Sequence, residues 1–214
     1  LLQKYATKEG VRYAAWHADK ADRAALDAAA EEVAKASLSG KSRDEQLAFY
    51  LNAYNLWILK TMLDNYPTKS IKDISFFVFR RKSLTVAGEK TSFTKLENDV
   101  IRKTFKESRI HFALNCASVS CPPLHNRAFN AETLDATLTQ LTKDFVTNNP
   151  LGVWSRNQGA EVHASKIFDW YEDDFKAQSG SILAYLGKYR GKPYPKGATL
   201  TFLDYDWSIN EATK

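Results

Sequence analysis

RIHFALNCASVSCPPL, Arg109 to Leu124, holds both cysteines of the chain, one of its four histidines and a Pro-Pro stop within sixteen residues. Its first half, Ile110 to Cys116, reads as a central strand, a short apolar run that ends in small and polar loop residues. Strand alternation would set Ile110, Phe112, Leu114 and Cys116 on one face and His111, Ala113 and Asn115 on the other. A central strand set among helices without a regular βαβ rhythm fixes the expected class as α+β.

The segments on either side agree with that class. Upstream, Asp19–Lys41 is alanine-rich with acidic residues early and lysine late, a surface helix closing near Gly40. Ser42–Tyr66 places Leu47, Leu51, Tyr54, Ile58 and Met62 at three- and four-residue intervals, a helix with one buried face. Ser42 and Glu45 offer a capping box, and Asn65 and Pro67 mark the far end. Short strands are expected at Phe76–Phe79 and Ser83–Val86, then a helix over Phe93–Phe105. Downstream come a helix over Asn130–Asn148, a hairpin over Gly152–Ala164 turning at Asn157–Gly159, a helix over Ser179–Tyr189 and a terminal strand Thr199–Leu203. With no repeat and no linker, residues 1–214 are expected to form a single domain, several helices packed on a small, largely antiparallel sheet.

Composition narrows the function classes. A chain of 214 residues that is 44% hydrophobic and 13% aromatic can bury the core of one medium-sized domain. The net charge of +5 is spread along the chain, which favours an anionic partner only weakly. No basic stripe interleaved with aromatics marks a nucleic-acid reader, and Arg80-Arg81-Lys82 reads as a solvated turn. No apolar run approaches the roughly 20 residues of a membrane span. No charged-then-apolar leader stands at the start, and the first residue is Leu1 and not Met, so an upstream segment is expected to have been removed. Two cysteines exclude a disulfide-rich scaffold and an all-cysteine zinc site. Histidines 17, 111, 125 and 163 are too scattered for a helical metal pair, so neither metal nor cofactor is expected.

Within the long helix stands NAYN, Asn52 to Asn55. Asparagine is a poor helix former, and a buried amide without partners costs a few kcal/mol, about 1 to 3, so each must be hydrogen-bonded. The two amides either pin the helix to a neighbouring segment or point into a cleft as donors to a substrate carbonyl.

AFYLNAYN, the SI-K-DI stretch after Tyr66-Pro67, LENDVIR, RIHFALNCASVSCPPL, SKIFDWYEDDF and YDWSIN stand in the order found in the family catalogued as domain of unknown function 547. From about Leu1 to Asn210 the chain resembles that family. The resemblance implies a periplasmic or extracellular location, since bacterial members commonly carry export signals. It also implies a binding or scaffolding role in some settings, since plant members fuse the domain to a coiled coil. A fold similar to papain-like or transglutaminase-like thiol enzymes is implied by analogy, which transfers no activity. The family often has histidine after the glutamate of LENDVIR, whereas this chain has Asn98, which puts a catalytic role there in doubt.

The thiols admit three readings: a Cys116–Cys121 disulfide, a reactive Cys121, or two free and unused thiols. Cys121 precedes Pro122-Pro123, which disfavours the helix-start geometry that activates a papain-type nucleophile. A bridge across so short a loop would add about 1 to 2 kcal/mol and serve local rigidity. His111 is the best base or orienting group, while His163 before Asp169 reproduces a Cys, His, Asp chain order without support from the family pattern. Asp169, Asp173 and Asp174 are expected to cap their helix or pair with Arg109.

The expected site therefore has Cys121, Cys116 and His111 as catalytic candidates and Asn52, Asn55, Tyr54 and Arg109 as substrate-binding candidates. It would bind a peptide or an anionic small molecule, with thiol-based amide hydrolase or acyltransferase chemistry as one outcome. A non-catalytic scaffold or interaction module with a structural disulfide is the other.

Overall fold

In the computed structural model, which describes residues 1–74, 77–81 and 84–212, the longest element is the helix Arg43–Asp64. The capping box forms: Glu45 N donates to Ser42 Oγ at 3.3 Å and Ser42 N donates to Glu45 Oε2 at 2.9 Å. Leu47, Leu51, Tyr54, Ile58 and Met62 are buried, and Ala48, Ala53, Asn55, Leu59 and Leu63 widen the buried face well beyond one stripe. This helix is the spine of the larger hydrophobic core, which runs from Tyr5 to Leu138. The surface helix Lys20–Lys35 buries only Leu26 and Ala30, as its alanine-rich, charged composition suggests. Its C-terminal carbonyls are closed by the β1–β2 hairpin (Leu84–Val86, Glu89–Thr91), where Ala87 N and Gly88 N donate to Val33 O and Ala34 O. Both turn residues have positive φ, 49° and 83°, which is why glycine follows alanine here.

Phe77–Arg80 form a turn rather than a strand, and Ser75, Phe76, Lys82 and Ser83 lie outside the described residues. The helix expected over Phe93–Phe105 is present but widened and underwound in the middle. Leu96–Arg102 is a π helix between the helical turns Phe93–Lys95 and Lys103–Phe105. Lys106, with φ 46°, breaks it.

Ile110–Cys116 is not a strand. Ser108–Phe112 is a 3-10 helix capped by Glu107, and the chain then descends through a loop to the cysteines. The reason lies in its surroundings: Ile110, Ala113 and Leu114 pack into the larger core, whereas Phe112 packs into a second one with Phe145, Phe168 and Phe175. A tight turn sends successive side chains to both cores, which a flat strand edge facing one of them would not do. The segment is therefore the partition between the two cores.

The second core is built by the helix Leu134–Thr147, the short helices Ile167–Trp170, Glu172–Ser179 and Ile182–Arg190, and a three-stranded sheet. In that sheet β3 (Val153–Arg156) pairs antiparallel with β4 (Glu161–Ala164), and β5 (Thr199–Phe202) adds parallel to β4. The fold class is α+β, with two of the three strand pairings among the described residues antiparallel. Gly152 is required before β3, since a Cβ there would stand 1.9 Å from Phe145 O.

After β5 the chain crosses back as an extended strap. Val119 N donates to Ser208 O, Ser120 N to Asp206 O and Asn210 N to Ala117 O, which fastens residues 206–210 along the cysteine loop. Ile209 N also donates to Lys69 O and Val11 N to Asn210 O, so the strap joins the N-terminal segment to the stretch that follows the long helix. No described helix is long and apolar enough to cross a membrane.

Candidate functional site

Buried amides hold the cysteine loop in place. Asn55 Nδ2 donates to Ala113 O at 2.8 Å while Asn55 Oδ1 accepts from Asn115 N at 2.9 Å. Asn115 in turn donates to Pro122 O and accepts from Ala117 N, both at 2.8 Å, closing the loop around itself. Tyr13 and Asn210 extend the network to the strap, with Tyr13 Oη donating to Asn210 Oδ1 at 3.1 Å. Asn52 makes the same kind of clamp one turn earlier, exchanging 2.8 Å hydrogen bonds with both backbone groups of Phe129. Both asparagines thus pin the helix to its neighbours, and neither lines the cavity described next.

Between the two cores opens a cavity of about 330 Å³. Tyr54 comes from the long helix, Glu97 and Asn98 from the π helix, and His111 and Leu114 from the partition. Cys116, Cys121 and Pro122 form one wall, while Ile167, Trp170 and Tyr171 face Tyr205 and Trp207 of the strap. These groups come from five of the six motifs that carry the family resemblance, so segments more than 150 positions apart converge on one space.

Cys116 and Cys121 are joined in a disulfide, with Cα atoms 6.4 Å apart, within bridging range. Cys116 N donates to Cys121 Sγ at 3.0 Å, and Tyr205 Oη lies 3.2 Å from Cys121 Sγ. A bridged sulfur carries no hydrogen, so the phenol is the donor to it, while Ser118 Oγ donates to Tyr205 Oη at 3.0 Å. Burial, opposed by the Ser118 hydrogen bond and reinforced by the charge of Glu97, pushes the Tyr205 phenol up to about 12.

Glu97 is half-buried and accepts one phenol on each oxygen: Tyr171 Oη at 2.5 Å on Oε1 and Tyr54 Oη at 3.1 Å on Oε2. Burial first, and then the adjoining carboxylate charge, raise both phenols far above the usual tyrosine range, so they remain donors.

His111 is buried, stacks on Tyr171 with ring centroids 3.9 Å apart, and places Nε2 2.7 Å from Asp174 Oδ2. Arg102 grips the same carboxylate through Nε at 2.7 Å and Nη2 at 3.1 Å. Burial alone would raise the Asp174 carboxyl, but the hydrogen bonds from His111 and Arg102 bring it down to about 2. Asn98, where the family often has histidine, donates to Thr94 O and accepts from Arg102, which places it in this network as a support.

Four of the seven expected site residues, Tyr54, His111, Cys116 and Cys121, meet in the cavity. Arg109 does not: it pairs with Glu107 and Asp135, and Asp174, one of the three aspartates offered as helix caps or as its partners, holds Arg102 and His111 instead. Asp169 pairs with Lys166. His163 stacks on Trp154 in the three-stranded sheet and donates to or accepts from Thr201, away from the cavity lining. Glu97, Tyr171, Tyr205, Trp170 and Trp207 were not singled out from the residues as ligands, although each lies within a motif quoted for the resemblance. Among the described residues no group of three or more His, Cys, Asp or Glu side chains converges as a metal site.

Residues 38–146, just over half of the chain, match a family model described as "Protein of unknown function, DUF547". No curated protein and no solved structure matches the chain.

Proposed function

This chain belongs to the DUF547 family of proteins of unknown function, and we propose that it is a binding module that holds a peptide in the cavity between its two cores, without turnover while the disulfide is closed. The observation that carries this reading is the Cys116–Cys121 bridge on the cavity wall, which occupies both thiols of the chain. A bridged cysteine is no nucleophile. What is left around the space is aromatic surface with a few convergent polar groups, the usual make-up of a ligand site. A working place outside the cytoplasm goes with this reading, because disulfides persist in oxidising compartments.

The test is to pass a library of short peptides over the oxidised chain and to sequence by mass spectrometry what it retains. Retention of intact peptides, kept in the Cys116→Ser/Cys121→Ser variant and lost in Tyr205→Ala, is the expected result. Cleaved or acylated products, or no enrichment over Tyr205→Ala, would overturn it.

A second reading has its own observation. His111, oriented by Asp174, lines the same cavity as Cys121, so reduction would set a thiol and an imidazole in one space for amide hydrolase or acyltransferase chemistry. Fast alkylation of one thiol near neutral pH after mild reduction supports that reading, and two equally sluggish thiols remove it.

A further inference from the structure

The charge in the cavity is negative, against the sign of the chain as a whole. Glu97 has no salt-bridge partner among the described residues, and both of its oxygens accept from neutral phenols. The cations nearby are already committed. Arg102 is gripped by both oxygens of Asp174, and His111 turns Nε2 to that same carboxylate. A half-buried carboxylate whose hydrogen bonds come from neutral phenols, with the neighbouring Arg102 bound to another carboxylate, gains from a positively charged group that enters beside it. Aromatic rings surround the place where such a group would sit, and aromatic faces attract cations electrostatically. One ring of the rim is already used in this way, with Lys72 Nζ 3.5 Å from the centroid of Trp207.

We propose that the cavity recognises a cationic side chain of its ligand, a lysine or arginine of a peptide, with Glu97 as counter-ion and Tyr54, Trp170, Tyr205 and Trp207 against its methylenes. This rests on the reading of the cavity as a peptide site and names the part of the peptide that it selects. An anionic ligand would face Glu97 with no uncommitted cation of the lining to receive it. The net charge of +5 repels a basic peptide at a distance, so selection comes from the cavity and not from steering.

The experiment is an NMR titration of the oxidised full chain, following the indole N–H signals of Trp170 and Trp207. Three blocked tripeptides serve as probes: alanine–lysine–alanine, the same with norleucine, which removes the charge and keeps the methylenes, and the same with glutamate. The lysine peptide is expected to shift both indoles and to bind at least tenfold more tightly than the norleucine peptide, with E97Q erasing the difference. The wild-type comparison decides the matter by itself should E97Q fail to fold. Equal binding of lysine and norleucine peptides, or tightest binding of glutamate, would overturn the cation assignment and leave the peptide site standing. Silence of both indoles with all three peptides at millimolar concentration would overturn both.

Discussion

His111 Nε2 and Asp174 Oδ2 lie 2.7 Å apart at the boundary of the two cores, one group on the partition and the other on the helix Glu172–Ser179. The pair is one of the polar links between the two cores, beside the Tyr171–Glu97 hydrogen bond, and Arg102 completes it from the π helix. Asp174 ionises at about 2 in the folded chain, against about 3.9 for an ordinary aspartate. A lowered folded-state value means that its contribution is complete above about pH 4 and is lost as the pH falls toward 2. Its side chain is 28% exposed, so after screening the contribution is on the order of 1 kcal/mol. Urea unfolding at pH 7 and at pH 2.5 should show Asp174→Asn losing about 1 kcal/mol less than wild type between the two conditions.

Opening the disulfide should weaken the fold without abolishing it. Loop-closure entropy for a bridge between positions 116 and 121 gives about 2 kcal/mol. The amide network through Asn55 and Asn115 holds the same loop independently. Alkylation of native protein should therefore find no reactive thiol, and reduction should shift the urea midpoint modestly with the transition still cooperative.

Asn55→Ala should be the more damaging of the two asparagine replacements. It leaves Ala113 O and Asn115 N buried without partners, at about 2 to 4 kcal/mol for the two groups together. Asn52→Ala strands a half-buried pair at Phe129 and should cost about 1 to 2 kcal/mol. Thermal unfolding of the two variants side by side checks the order.

Arg109→Ala should affect stability and leave ligand retention within about twofold of wild type. Arg109 lies outside the cavity lining and neutralises Glu107, whose side chain is only 10% exposed. Removing it leaves that carboxylate largely buried without its cation, a loss of about 3 kcal/mol. A loss of retention with unchanged unfolding would return Arg109 to the binding residues.

The long helix was legible because its apolar spacing, its Ser42–Glu45 cap and its Asn65–Pro67 end all point the same way. The hairpin over β3 and β4 was legible from the turn residues Asn157–Gly159. Ile110–Cys116 misled because a short apolar run has the same look in a strand and in a tight turn that serves two cores. The π helix had no local cue at all, since LENDVIR fits an ordinary helix as well. That matters for the site, because Glu97 and Arg102 both sit on it. Glu97, Tyr171 and Tyr205 gain their meaning only from one another, and 108 positions separate the first from the last. Such a relation is tertiary and leaves no trace in spacing.

The strap has a consequence in time as well as in space. Tyr205 and Trp207 are the last wall of the cavity, and they are laid down only after both cores have their full complement of helices. In a chain emerging from the ribosome the site stands open along one side until these residues are added. Binding competence would then arrive as a discrete late event, since a product ending near Leu203 lacks two aromatic rings of the cavity wall.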